Sequence, residues 1–220
     1  MIINSDHYFV FDLDDTLYKE EDYIFSAFRH ISIALEIDLG ENIYNKMVLW
    51  HREGKQIFNE IKLRYETRKS VKEMLDLYRF HTPKLELSSS NKQLLNAMAS
   101  KNIMMGLMTD GRSKTQRAKI TALGIESYFD KIIISEEIGS EKPAEINYRN
   151  FMDLTDKTKF VYCGDNIKKD FVTANILGWK TIGLRDNGRN IHSQKINVHI
   201  KNLPHVWVDD LEEIENYLAK

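Results

Sequence analysis

The sequence predicts an α/β fold, a doubly wound parallel sheet carrying an inserted α-helical domain, and three observations predict it. From Ile103 onward, short β-prone runs alternate with helix-patterned segments, as in a parallel sheet sandwiched between helices. Between Glu20 and about Arg79 that alternation is suspended: no proline and hardly any β-rich run occurs, and apolar residues recur three and four positions apart. Ahead of this block stands a lone β-prone run, Tyr8 to Phe11, which leads directly into Asp12, Asp14 and Asp15. The expected partition is a sheet-bearing unit of residues 1–18 and 89–220 with a helical insert of residues 19–88.

The individual elements follow from local pattern. Asp12 and Asp14 lie two apart on extended chain, so they share a face and can address one ligand, while Asp15 faces elsewhere. Two carboxylates that close need a cation or a shared proton. In the helical block, Phe25, Phe28, Ile31 and Leu35 mark one helix, and Ile43, Met47 and Trp50 a second. Ile57, Ile61 and Tyr65 mark a third, and Val71, Met74, Leu75 and Tyr78 a fourth, with breaks near Gly40, Gly54 and Lys69. Met and aromatic residues at these spacings read as core. Pro83 and the run Ser88 to Ser90 form a connector and an N-cap for a helix from Asn91 to Ser100. The alternation then proceeds through a strand at 103–109, a helix at 114–123, a strand at 131–135 and a helix at 145–152. It continues with a strand at 159–164, a helix at 168–177, strands at 181–184 and 206–208, and a closing helix at 210–218.

Composition narrows the function classes. With 31 basic and 33 acidic residues among 220, bulk charge supports neither a nucleic-acid polymer nor a membrane surface as partner. A small anionic ligand would need local positive charge. Cys163 is the only cysteine, which excludes an intramolecular disulfide and a cysteine-rich zinc site and fits a reducing compartment. The start, Met-Ile-Ile-Asn-Ser-Asp, lacks a basic stretch followed by an apolar run, and no apolar run approaches a membrane span, so a cytoplasmic protein is expected.

Parallel sheets bind ligands beyond the carboxyl ends of their strands. At those ends stand Asp12 and Asp14, then Thr109, Asp110 and Gly111, then the segment from Ser135 to Lys142, then Gly164 to Asp170. Taken singly, each has an ordinary account: Asp165 beside Asn166 suits a helix N-terminus, a lone threonine or lysine is usually a cap or solvated, and Lys168 and Lys169 read as solvated helix charges. Taken together they make a phosphoryl-transfer set. A carboxylate attacking phosphorus gives an aspartyl-phosphate and divides one difficult displacement into two. Anion attacking anion requires positive charge fixed in advance, and Mg²⁺ suits oxygen ligands. Asp12 and Asp165 could coordinate it with Asp170 in support, Lys142 would add a second cation, and Thr109 could donate its hydroxyl to phosphate. Asp110 and Gly111 could offer backbone N–H groups, which leaves Asp14 for proton transfer.

These segments closely resemble the haloacid dehalogenase (HAD) superfamily of phosphatases, in the branch whose helical cap follows the first motif. Phe11-Asp12-Leu13-Asp14-Asp15-Thr16-Leu17 resembles the first motif, Met108-Thr109-Asp110-Gly111 the second, Glu141-Lys142-Pro143 the third, and Gly164-Asp165-Asn166 through Asp170 the fourth. The resemblance implies a Rossmann-like core with Asp12 as nucleophile and Asp14 as acid/base with its carbonyl on Mg²⁺. It places Thr109 and Lys142 at phosphate, and Asp165 with Asp170 at the metal. The run from Gln116 to Lys142 is similar to nucleotidase and sugar-phosphate phosphatase members. Asp110 stands where many members have asparagine, and Pro143-Ala144-Glu145 lacks a second proline often present there.

The expected activity is therefore a Mg²⁺-dependent phosphomonoester hydrolase of a small metabolite such as a sugar phosphate or nucleotide, acting as a monomer or homodimer. A phosphomutase of the same superfamily, or a catalytically silent binding protein with this fold, are the alternatives. Dehalogenases of the superfamily lack the acid/base that Asp14 provides, and no lysine of the helical block stands out as the Schiff-base lysine of a phosphonatase. The insert reads as a lid that shields the site and sets specificity.

Overall fold

The structure is a computed structural model and describes residues 1–153 and 155–219. Six strands form one sheet: β1 (His7–Phe11), β2 (Met104–Thr109), β3 (Lys131–Ile134), β4 (Lys159–Gly164), β5 (Lys180–Leu184) and β6 (Val206–Val208). Their order is β3-β2-β1-β4-β5-β6 and every pairing is parallel. All five residues of β1 are buried, as a central strand covered on both faces requires. The order reverses between β1 and β4, where such sheets open a crevice beyond their carboxyl ends. Register brings those ends level: Phe11 pairs with Leu107 on one side and Cys163 on the other, and Asp12 N–H donates to Cys163 O at 2.8 Å.

Aromatic side chains fill much of the core beside the sheet. Phe160 and Trp179 stack with centroids 4.8 Å apart, and Tyr148 packs between Tyr162 and Trp179. Around the sheet lie α5 (Ser89–Ser100), α6 (Ser113–Leu123), α7 (Ser135–Ile138), α8 (Glu145–Met152) and α9 (Val172–Ile176). Ser88 caps α5, its hydroxyl accepting from Asn91 N–H at 3.1 Å.

Two compact units divide the chain, one of Met1–Glu20 together with Glu86 onward and the other of Glu21–Leu85. The second is built from α1 (Glu20–Leu39, its first residue in the other unit), α2 (Tyr44–Arg52), α3 (Ile57–Arg64) and α4 (Val71–Phe80). Phe28, Ile31, Leu35, Ile43, Met47, Trp50, Ile61 and Met74 make its own core, the stripe that the three- and four-residue spacing marks out. A capping box opens α4, with Ser70 and Glu73 satisfying each other's backbone N–H groups.

Two segments depart from expectation. The helix placed at 168–177 begins only at Val172, because 166–170 is a turn in which the Asp170 carboxylate accepts from Asn166 N–H at 2.8 Å. The closing helix is 3-10 over Leu211–Tyr217, and its buried residues Leu211 and Ile214 sit at a 3-10 spacing. Among the described residues no helix is long and apolar enough to cross a membrane.

Candidate active site

Beyond the carboxyl ends of the strands lies a cavity of about 260 Å³ lined by Asp12, Asp14, Asp15, Glu20, Thr109, Asp110, Gly111, Glu141, Lys142, Asp165, Asn166, Lys169 and His192. Every residue singled out from the sequence lines it except Asp170, which is completely buried beside it.

The centre of the site is ionic. Lys142 Nζ lies 2.7 Å from Asp12 Oδ1 and 2.8 Å from Asp170 Oδ1, and Tyr162 Oη is 3.1 Å from the same ammonium. Burial opposes the Lys142 charge, but Asp12, Asp170 and Asp110 outweigh it and hold its pKa well above the usual range. One oxygen from each of Asp12, Asp165 and Asp170 lies within 4.8 Å of the others. Burial first, and then the Asp170 carboxylate, push Asp165 up to about 9. Burial also pushes Asp12 up to about 8, against the pull of Lys142. An all-oxygen, buried and mutually repelling donor set is what a hard divalent cation relieves, so these residues fit such an ion.

Asp14 is held from three sides. Its Oδ1 accepts from Lys119 Nζ at 2.7 Å and from Tyr18 Oη at 2.5 Å, and its Oδ2 accepts from Gln116 Nε2 at 2.8 Å. Burial works to raise its pKa, but the Lys119 charge and these donors overcome it and keep the carboxyl below its ordinary value. Gln116 Nε2 also donates to Thr109 Oγ1 at 2.5 Å, which leaves the threonine O–H to donate elsewhere. Asp15 has left-handed backbone (φ 55°), and its side chain accepts from Glu20 N–H at 3.0 Å and Ile191 N–H at 2.7 Å, tying down the chain on either side.

Two glycines shape the walls. A Cβ on Gly164 would run into Asp170 Oδ2, so only glycine lets that carboxylate lie against β4. Gly111 has φ +143° and its N–H donates to Ser135 Oγ at 2.9 Å, so that N–H is engaged inside the fold and the residue serves by lacking a side chain. The reading of Lys168 and Lys169 as solvated charges is corrected for Lys169. Its Nζ lies 3.0 Å from Asp110 Oδ2 at the cavity wall, while Asp110 Oδ1 accepts from Lys142 N–H at 3.0 Å. The carboxylate of Asp110 thus joins the second and third motif loops and carries a lysine with it.

The Haloacid dehalogenase-like hydrolase family matches residues 9–184. The chain belongs to that family. A glyceraldehyde 3-phosphate phosphatase from Methanocaldococcus jannaschii is 29% identical over 189 residues, spanning 79% of this chain and 82% of its own. The pyrimidine 5'-nucleotidase YjjG from Escherichia coli is 30% identical over 131 residues, 58% of this chain and 54% of its own. In fold, magnesium-bound YfnB from Bacillus subtilis matches with a TM-score of 0.68 at 18% identity, over 96% of this chain and 97% of that one.

Several residues of this family member's site escape sequence reasoning. Asn190 Nδ2 donates to the carboxylate of Asp165 (Oδ2) at 2.8 Å and Gln194 Nε2 to its main-chain carbonyl at 2.8 Å, so the loop after β5 holds both the side chain and the backbone of Asp165. That polar stretch has no periodicity to reveal it. Gln116 and Lys119 did leave a signal: both are buried on the same face of α6 as Ile120 and Leu123. A glutamine and a lysine in an apolar stripe need buried partners.

Proposed function

We propose that this HAD-family hydrolase is a Mg²⁺-dependent phosphomonoesterase of small phosphorylated metabolites, sugar phosphates or nucleotides, working in the cytoplasm through an aspartyl-phosphate on Asp12. The observation that carries this reading is the meeting of Asp12, Lys142 and Asp165 at one cavity wall with Asp14 and Thr109 beside them. A nucleophilic carboxylate, fixed positive charge and an acid/base group are the three things phosphoryl transfer asks of a site.

Asp12, Asp165 and Asp170 would hold the divalent cation, which supplies charge neutralisation for the incoming phosphate. Lys142 and the Thr109 hydroxyl bind phosphate oxygens. One Asp12 oxygen attacks phosphorus, the ester P–O bond breaks, and the departing alkoxide takes a proton from Asp14. The donors around Asp14 favour its ionised form in the ligand-free site; a phosphate anion entering beside it raises its proton affinity, and the proton it passes to the leaving oxygen is taken up from solvent with the substrate. Asp14 then takes a proton from the water that attacks the acyl-phosphate, which frees inorganic phosphate and restores the Asp12 carboxylate. In this reading the helical unit, which begins at Glu21, seven residues after Asp14, carries leaving-group specificity.

The test is phosphate release from an aryl phosphate and from a panel of sugar phosphates and nucleotides in Mg²⁺. Turnover is expected in the native protein and should vanish in Asp12→Asn. Undiminished turnover in that variant would overturn Asp12 as nucleophile, and product isomers without free phosphate would make the protein a mutase.

A further inference from the structure

We propose that Lys119 and Tyr18 are positioning residues for the reaction: together they clamp Asp14 in the one orientation from which it can exchange a proton with the leaving oxygen. This deepens the phosphatase reading and rests on it. Asp14 sits on the short stretch between β1 and α1, where a carboxylate has rotamer freedom that a strand or helix would not give it. Three donors remove that freedom, and they are shared unequally. Oδ1 takes the Lys119 ammonium at 2.7 Å and the Tyr18 hydroxyl at 2.5 Å, whereas Oδ2 takes a single donor, Gln116 Nε2 at 2.8 Å. A carboxylate oxygen has two lone-pair sites, so Oδ1 is saturated and Oδ2 keeps one position for a reacting proton.

The clamp is built at some cost, which argues against an incidental contact. The Lys119 side chain is only 3% exposed, and Glu20 also lies 3.6 Å from its ammonium. A lysine is seldom buried so deeply unless charged partners compensate. A plain ion pair would need nothing from Tyr18. Here a second, uncharged donor from the chain just beyond Asp14 converges on the same oxygen and turns an attraction into a direction. Misplacing a proton-transfer group by about an ångström is enough to cost much of its effect.

The test separates positioning from structural support by leaving group. kcat/KM is measured for Lys119→Met, Lys119→Arg and Tyr18→Phe on aryl phosphates running from 2,4-dinitrophenyl, whose phenolate leaves unaided, to phenyl, whose leaving oxygen needs a proton. In Lys119→Met the expected loss is about tenfold or more on phenyl phosphate and under about threefold on the dinitrophenyl ester. Tyr18→Phe should steepen the series in the same sense, and Lys119→Arg, which keeps a cationic donor, should recover at least part of the phenyl loss. A uniform fall across the series, or unchanged rates, overturns the inference. Tyr18→Phe removes one oxygen only and keeps the proposal testable if Lys119→Met does not fold. Asp14→Asn serves as control: if it steepens the series and the clamp variants do not, the clamp fails while the phosphatase reading stands. Activity surviving in Asp12→Asn would instead sink that reading itself.

Discussion

Lys142 Nζ stands 2.7 Å from Asp12 Oδ1 although 130 residues separate them in the chain. Both side chains are almost completely withdrawn from water, so neither charge is satisfied by solvent. The pair exists because β1 and the loop after β3 end at the same edge of the sheet, and it gives Asp12, the proposed nucleophile, a cation before any substrate arrives.

Removing that cation should cost stability and activity together. Lys142→Met leaves Asp12 and Asp170 buried without it, and breaking such a pair costs about 3–5 kcal/mol. Loss of a preorganised charge at the phosphate should lower kcat by about 10²–10³. Urea unfolding and steady-state kinetics on the same preparation check both. Activity lost with stability intact would mean that the fold tolerates these carboxylates without the ammonium and that Lys142 serves the reaction alone.

The three-carboxylate cluster makes a prediction about metal removal. Mg²⁺ at about 100 times its dissociation constant should stabilise the native protein by about 2.7 kcal/mol, a rise of about 5–10 °C in Tm over the chelator-treated protein. Asp165→Asn removes a donor and should lose most of that rise while folding about as well without metal, since burial and Asp170 already push Asp165 up to about 9 and disfavour its charge there. A melting series with and without Mg²⁺ reads the difference. An equal rise in the variant would place the ion elsewhere.

How much of this was legible in the sequence depended on whether a residue's neighbours lie along the chain or across it. The sheet, the helical insert and the site edge followed from local pattern, because a strand such as Tyr8 to Phe11 and a stripe such as Phe28, Ile31 and Leu35 carry their periodicity with them. Asp12, Thr109, Lys142 and Asp165 were legible because each stands just past a strand or in the loop after one. Lys169 was not, since the turn at 166–170 that delivers it to Asp110 is made by the Asp170 side chain and has no apolar rhythm. Asn190 and Gln194 escaped for the same reason: each reaches Asp165, just past another strand, by a contact that no local pattern announces.

Asp110 makes a prediction of its own. Its carboxylate is the nearer of two acidic partners of Lys169, Glu141 Oε2 lying 3.6 Å away, so Asp110→Asn should loosen that ammonium toward an incoming phosphate while the amide oxygen still accepts from Lys142 N–H. KM for a phosphate ester should fall by up to about fivefold, the span of a partly exposed ion pair worth up to about 1 kcal/mol. Lys169→Ala should raise KM, and both effects should shrink in high salt. A higher KM in Asp110→Asn would mean that the carboxylate is needed to hold the loop rather than to restrain the lysine.

His81, buried in the helical unit, predicts a pH dependence for the stability of that unit. Its Nδ1 is 2.8 Å from Tyr78 O and its Nε2 is 3.1 Å from Ser26 Oγ, which in turn accepts from Lys84 N–H at 2.9 Å. A carbonyl only accepts, so Nδ1 carries the hydrogen and Nε2 receives one from the Ser26 hydroxyl; the arrangement fits a neutral ring. Burial, with His30 adding to it and the Tyr78 carbonyl opposing, holds the imidazole below its ordinary value of 6.5. The unfolded chain therefore binds a proton at a pH where the folded chain still refuses it. Unfolding takes up protons in that window, and the stability contributed by neutral His81 is complete above about pH 6.5 and declines as pH falls through the depressed folded pKa. Trp50 lies in the core of this unit, and its fluorescence during urea unfolding at pH 7.5, 6.5 and 5.5 reads the decline. His81→Gln keeps a donor for Tyr78 and an acceptor for Ser26 but cannot titrate, so it should be less stable at pH 7.5 and lose less on acidification. An unchanged acid slope in His81→Gln would assign that sensitivity to another group.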